Sequence, residues 1–182
     1  MDEKRPLSLL NADLKTLFAY TSSNDSIPNP ERGRPRQEVV VSILMRNVIS
    51  QKPWEESWVS FWRDHFSIFA HDQNVGAFSP HWEENVIRRH CWGNFREMLE
   101  AAASHPAMLY YLNNRSSRAG SANENFAREL FELHTFGKNA YLKDLYSDWK
   151  KVPGAIDGRA VGYIDEDVYE AARAFTGWTV ND

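Results

Sequence analysis

Cysteine is nearly absent from this 182-residue chain, and the lone thiol, Cys91, has no second one with which to close a disulfide. A disulfide-stapled secreted scaffold is therefore excluded, although export as such is not. Charge of one sign is also scarce. With 21 Lys and Arg against 25 Asp and Glu, the formal net charge of −4 gives no general attraction to phosphate backbones, and no nucleic-acid partner is expected. No run of about 18 apolar residues exists, so no membrane span is expected. The chain opens Met1-Asp2-Glu3-Lys4-Arg5 with no apolar stretch behind it; no signal peptide is visible, and localisation stays open. His-Glu-x-x-His, Cys-x-x-Cys, a phosphate-cradling glycine loop and a Gly-x-Ser-x-Gly elbow are all missing. Each would have named a chemistry.

Aromatic side chains are what the sequence has in plenty. Seven Trp and ten Phe need a surface to cover them, because large rings dominate burial in cores and interfaces. Their spacing is helical. Trp58, Phe61, Trp62, His65, Phe66 and Phe69 recur at three- and four-residue steps, which places them on one helix face behind Pro53, Glu55 and Glu56 at the helix start. Leu9, Leu10, Leu14, Leu17 and Phe18 predict a first helix over 6–20. A polar linker is expected over 21–36, with Arg32, Arg34 and Arg36 solvated among Pro and Gly; the apolar stretch over 37–50 follows, where β-branched residues allow a strand but the length and the Arg46-Asn47 tail favour a helix. Ser79 and Pro80 start another helix, Asn94 caps one carrying Phe95, Met98 and Leu99, and Pro106 begins a short one. Ser121 or Asn123 caps a helix through Phe126, Leu130 and Leu133 to a stop at Gly137, and Asp165 caps the last, which stops at Gly177. Residues 138–163, with weak periodicity and Pro153, Gly154, Gly158 and Gly162, read as a long loop or excursion. The fold class expected is mainly α: one helical domain, an irregular array of about seven or eight short helices with little or no β-sheet.

Four motifs carry a resemblance. They are Phe61-Trp62-Arg63-Asp64-His65-Phe66, the run Ile87 to Arg96, the run Asn123-Glu124-Asn125-Phe126-Ala127-Arg128-Glu129-Leu130 continuing to Gly137, and Glu170 to Trp178. In order and spacing they resemble the bacterial domain-of-unknown-function 1800 family (DUF1800) over roughly residues 37–182. The resemblance names no reaction. It implies a protein exported or periplasmic when full length, often encoded beside a second exported protein of the sulfatase-like type. Members usually continue past the Thr176-Gly177-Trp178 motif and carry an export signal, so this chain reads as a fragment of a longer member.

The residues able to carry chemistry have plain structural alternatives. His65, His90 and His134 lie on or beside inward helix faces and are candidates for a metal or haem site, or for buried, hydrogen-bonded imidazoles. Glu124, Arg128 and Glu132, four apart, predict two ion pairs on one helix face. If that helix is central, they instead join a buried charge network with Arg88, Arg89 or Arg173, which costs heavily unless every charge is paired. Glu124, Arg128 and Glu129 are also candidates for acid–base work or for binding an anion. The leading functional reading is an interaction or scaffold module acting with an exported protein partner. The alternative is an oxidoreductase-like enzyme with a His-centred metal or haem cofactor.

Overall fold

A computed structural model describes residues 6–180. The Met1-Asp2-Glu3-Lys4-Arg5 opening lies outside the described residues. The fold is mainly α: among the described residues no sheet forms, and β-pairing is confined to isolated bridges at Arg118–Ser121 and Tyr141–Tyr163. No helix among them is long and apolar enough to cross a membrane. The chain divides into two compact units, Met1–Tyr111 and Leu112–Asp182.

The first unit contains α1 (Leu14–Phe18), α2 (Asn29–Arg32), α3 (Arg34–Ile49), α4 (Pro53–His65), α5 (Gln73–Ala77), α6 (Ser79–His81), α7 (Phe95–Ser104) and α8 (Pro106–Tyr111). The expected helix over 6–20 shrinks to α1. The carboxylate of Asp13 accepts from the Thr16 N–H at 2.7 Å and starts the helix there, while the Leu9 N–H is drawn off to the buried Glu38 carboxylate, also at 2.7 Å. The expected linker is shorter than 21–36, because α2 forms within it and α3 starts at Arg34. Its arginines are tied down: Arg32 donates to the Ile27 and Asn24 carbonyls, Arg34 pairs with Glu38 at 2.8 Å, and Arg36 meets His71 at 2.7 Å.

Beyond α6 the helix widens into a π-helical stretch, Trp82–Arg88. Phe78, not Ser79, occupies the cap position, and the Ser79 hydroxyl donates to the Gly76 carbonyl at 2.8 Å. Asn94 caps α7 as expected, accepting from the Arg96 N–H at 2.8 Å. Phe66, Phe78, Val86, Ile87, Met98 and Met108 form the centre of this unit's core.

The second unit is built on α9 (Glu124–Glu129) and α10 (Asp165–Ala174), which pack together. Asn123 caps α9 through the Phe126 N–H at 3.2 Å. The helix then widens into a π-helical stretch, Leu130–Thr135, and stops at Gly137 with φ 86°. Widening rotates the face, so Ala127, Leu130 and His134 are buried and Leu133 faces outward. At the start of α10 the Asp167 carboxylate accepts from the Ile164 N–H at 2.9 Å, so Asp165 is not the cap. Residues 138–163 are a chain of short 3₁₀ turns, closed at its ends by the Leu142 N–H to the Tyr163 carbonyl and the Tyr163 N–H to the Ala140 carbonyl, each 2.9 Å.

Candidate functional site

The aromatic stripe of α4 does form, but it lies along the surface. Val59 from this helix and Phe66 just beyond it go into the core. Trp58, Phe61 and Trp62 do not. For the two tryptophans the reason is the indole, which has an apolar body and a polar edge. Trp58 and Trp62 both donate their ring N–H to the Cys91 carbonyl, so the two rings are anchored edge-first at the rim of the core. Further rings continue the surface. Trp54 meets Trp92 at 5.2 Å between centroids, Trp92 stacks on Trp58 at 5.6 Å, Trp58 on Phe61 at 5.1 Å, and Trp62 reaches Phe95 at 5.9 Å. Trp54 is 60% exposed, Trp92 59%, Phe61 50% and Phe95 41%. The result is one ring-to-ring ladder open to solvent. His65 belongs to it, with its ring 6.0 Å from Phe95 and 5.6 Å from Trp62.

Beneath the ladder lies a charge network. Arg88 holds Glu56 with both terminal nitrogens and donates its Nε to Glu83 Oε1 at 3.0 Å. Arg63 grips the same Glu83 at 2.7 and 2.9 Å, and Arg46 pairs with Glu84 at 2.8 Å. The Glu83, Glu56 and Arg88 side chains keep only 5%, 11% and 14% of their surface exposed. The hydrogen bonds from Arg88 hold the Glu56 carboxyl below the usual carboxylate range. Burial works against the Arg88 charge, but Glu56 and Glu83 outweigh it and raise its pKa. Three cations face three anions, and such saturation fixes α4 against the π-helical stretch without leaving a charge for chemistry. A cleft of about 270 Å³ beside it is lined by Val39, Ile43, Ile68, Arg63, Glu83 and Trp82, and its Arg63 and Glu83 are already spent on each other.

In the second unit Arg128 pairs with Asp165 at 3.0 Å and sits 5.6 Å above the Tyr141 ring, while the Tyr141 hydroxyl donates to the other Asp165 oxygen at 2.7 Å. This replaces the i,i+4 pairs expected for Arg128. The bond to Asp165 raises the pKa of Tyr141. Glu129 is half-buried, and burial followed by the neighbouring Glu132 pushes its pKa up. Neither Arg88 nor Arg173 enters the described bonds of Arg128; Arg173 pairs with Glu170 at 2.7 Å.

A family model described as "Protein of unknown function (DUF1800)" matches residues 3–182. The chain belongs to the DUF1800 family. The match extends beyond the 37–182 covered by the motifs. No curated protein and no solved structure matches the DUF1800 chain.

The site residues named from sequence lie on different elements. His65 is in the aromatic ladder, His90 follows the π-helical stretch of the first unit, and His134 is buried in the π-helical stretch of the second. Among the described residues no three His, Cys, Asp or Glu stand together as a metal-holding group. Glu124, Arg128 and Glu129 share α9, but the partners of Arg128 come from Tyr141 and Asp165. The sequence reading missed the histidine pair that does touch, His81 and His105, with ring nitrogens 2.9 Å apart. Its signal was His105 immediately before Pro106 at a helix start, a cap position. Cys91 is buried, and burial raises its thiol pKa, which keeps it unreactive.

Proposed function

We propose that this DUF1800 chain is an interaction module whose contact face is the ladder of Trp54, Trp58, Phe61, Trp92 and Phe95. One observation carries the reading: large rings that touch one another in a continuous series are left open to water, outside a core already built on Phe66, Phe78 and Trp82. Contiguous exposed apolar surface of this kind marks contact sites, and Trp anchors contribute most of the binding energy in them. The partner fitting the family resemblance is the exported protein encoded beside it. No observation of comparable weight favours a metal or haem site.

The test is titration calorimetry between the purified chain and that co-encoded protein. The expected result is binding that Trp92→Ala and Phe61→Ala each weaken at least about tenfold, as truncating an interface anchor does, while Trp149→Ala leaves it unchanged. Failure to bind, or binding indifferent to Trp92 and Phe61, overturns the reading. Self-association lost on the same substitutions, read by sedimentation, would assign the face to a second copy instead.

A further inference from the structure

We propose that His81 and His105 form an acid-operated latch that fastens the α7–α8 corner to the end of α6 and is released by a single proton. The geometry assigns every proton in the pair. The His105 Nδ1 accepts from the Ala107 N–H at 3.1 Å, so that nitrogen carries a lone pair. The proton of neutral His105 is then on Nε2, which lies 2.9 Å from His81 Nδ1. His81 Nδ1 must be the acceptor, and the His81 proton is on its Nε2. Both rings are neutral, and both lone pairs that could take up a proton are already engaged.

An added proton therefore has no harmless place. On His81 Nδ1 it faces the Nε2–H of His105, donor against donor. On His105 Nδ1 it faces the Ala107 N–H, again donor against donor, at the position that caps α8. Moving the His105 proton from one nitrogen to the other only shifts the conflict from one bond to the other. Either event opens a bond that water cannot easily replace, because His105 is buried with the Trp82 ring 5.3 Å away at 71°. The Met108 and Leu109 N–H groups also bond the His105 carbonyl, at 3.0 and 3.1 Å, so displacement of this residue loosens the first turn of α8. α8 in turn packs on α5 and α7.

The charges facing the pair are few. Asp13, at the start of α1, acts on His81 and favours its charged form. His81 disfavours charge on His105, Trp82 presents only its ring, and α8 presents the Ala107 N–H. Burial outweighs Asp13 and lowers the pKa of His81, and it lowers that of His105 to about 3. The latch is thus closed at neutral pH and opens in acid.

The experiment is urea unfolding of the full chain and of His105→Asn from about pH 7 to about pH 4.5, with ¹⁵N imidazole NMR on the wild type. Asparagine can still cap α8 but cannot titrate. A histidine protonated only when unfolded steepens the unfolding constant by up to about tenfold per pH unit below its ordinary pKa. The wild type should show this extra steepness between about pH 5.5 and 4.5, and His105→Asn should lose it. NMR at neutral pH should find His105 neutral with its proton on Nε2. Equal pH slopes in the two proteins, or a His105 proton on Nδ1, overturns the proposal. If His105→Asn does not fold, the wild-type NMR still decides.

Discussion

Replacing Arg88 by Met should cost about 3 kcal/mol of stability, at the lower end of what breaking a buried ion pair costs. Arg88 is the only described partner of Glu56, whereas Glu83 keeps both bonds from Arg63 when Arg88 is gone. The penalty therefore falls on one carboxylate stranded at 11% exposure, not on two. The double replacement Arg88→Met with Glu56→Leu removes the stranded charge as well. It should recover most of the loss, leaving a coupling of about 2 kcal/mol in a double-mutant cycle. Five of the seven tryptophans, including Trp58, Trp62 and Trp82, belong to the first unit, so their fluorescence in urea reports that unit. The cycle should also depend on pH. Glu56 is depressed by Arg88, so its contribution is fully present above its ordinary value of 4.5 and is lost as the pH falls through the lower folded value. The gap between wild type and Arg88→Met should accordingly narrow below about pH 4.5. A single substitution costing under about 1 kcal/mol, or a double as damaging as the sum of its parts, refutes a buried, mutually dependent pair.

What the sequence revealed about this fold was chemistry confined to a few neighbouring residues. Asn94 and Asn123 each accept from an N–H two or three positions ahead, and Gly137 takes a positive φ, so those helix ends could be read directly. Where a partner lies far along the chain, reading failed. The Leu9 N–H bonds Glu38 across 29 positions, which no local pattern shows, so the periodicity of 6–20 overextends the first helix. Sequence offers Arg88 only as one of three conditional partners for the charges of α9, whereas it bonds Glu56, 32 positions earlier. The stripe on α4 shows the limit most clearly. Periodicity gives the face a ring occupies, but not whether that face is covered. Tryptophan can satisfy its N–H at the rim of a core and leave its body in water, as Trp58 does at the Cys91 carbonyl. The candidate histidines were chosen for apolar surroundings, whereas the pair in contact is defined by a cap before Pro106.

Two smaller tests address the second unit. Gly162→Ala should destabilise it by about 1–3 kcal/mol, because φ is +105° and the new Cβ would come within 2.4 Å of the Ala140 carbonyl that bonds Tyr163; protection of the amides of Leu142 and Tyr163 from hydrogen exchange should fall first. Asp165→Asn should cost about 1 kcal/mol, since Asp165 is buried but the Arg128 side chain keeps 32% of its surface in solvent, where screening weakens the pair. This substitution separates two accounts of the same arginine. If Arg128 is held by Asp165 and Tyr141, then Asp165→Asn lowers the melting temperature, the pKa of Tyr141 falls once its carboxylate acceptor is gone, and Glu124→Gln is silent. If instead Arg128 is held along its own helix by residues four positions away, Glu124→Gln carries the cost and Asp165→Asn is silent. Thermal melts of the two variants, with ultraviolet titration of the tyrosines, tell the cases apart, because only the first moves both the melting temperature and a phenol in the same protein.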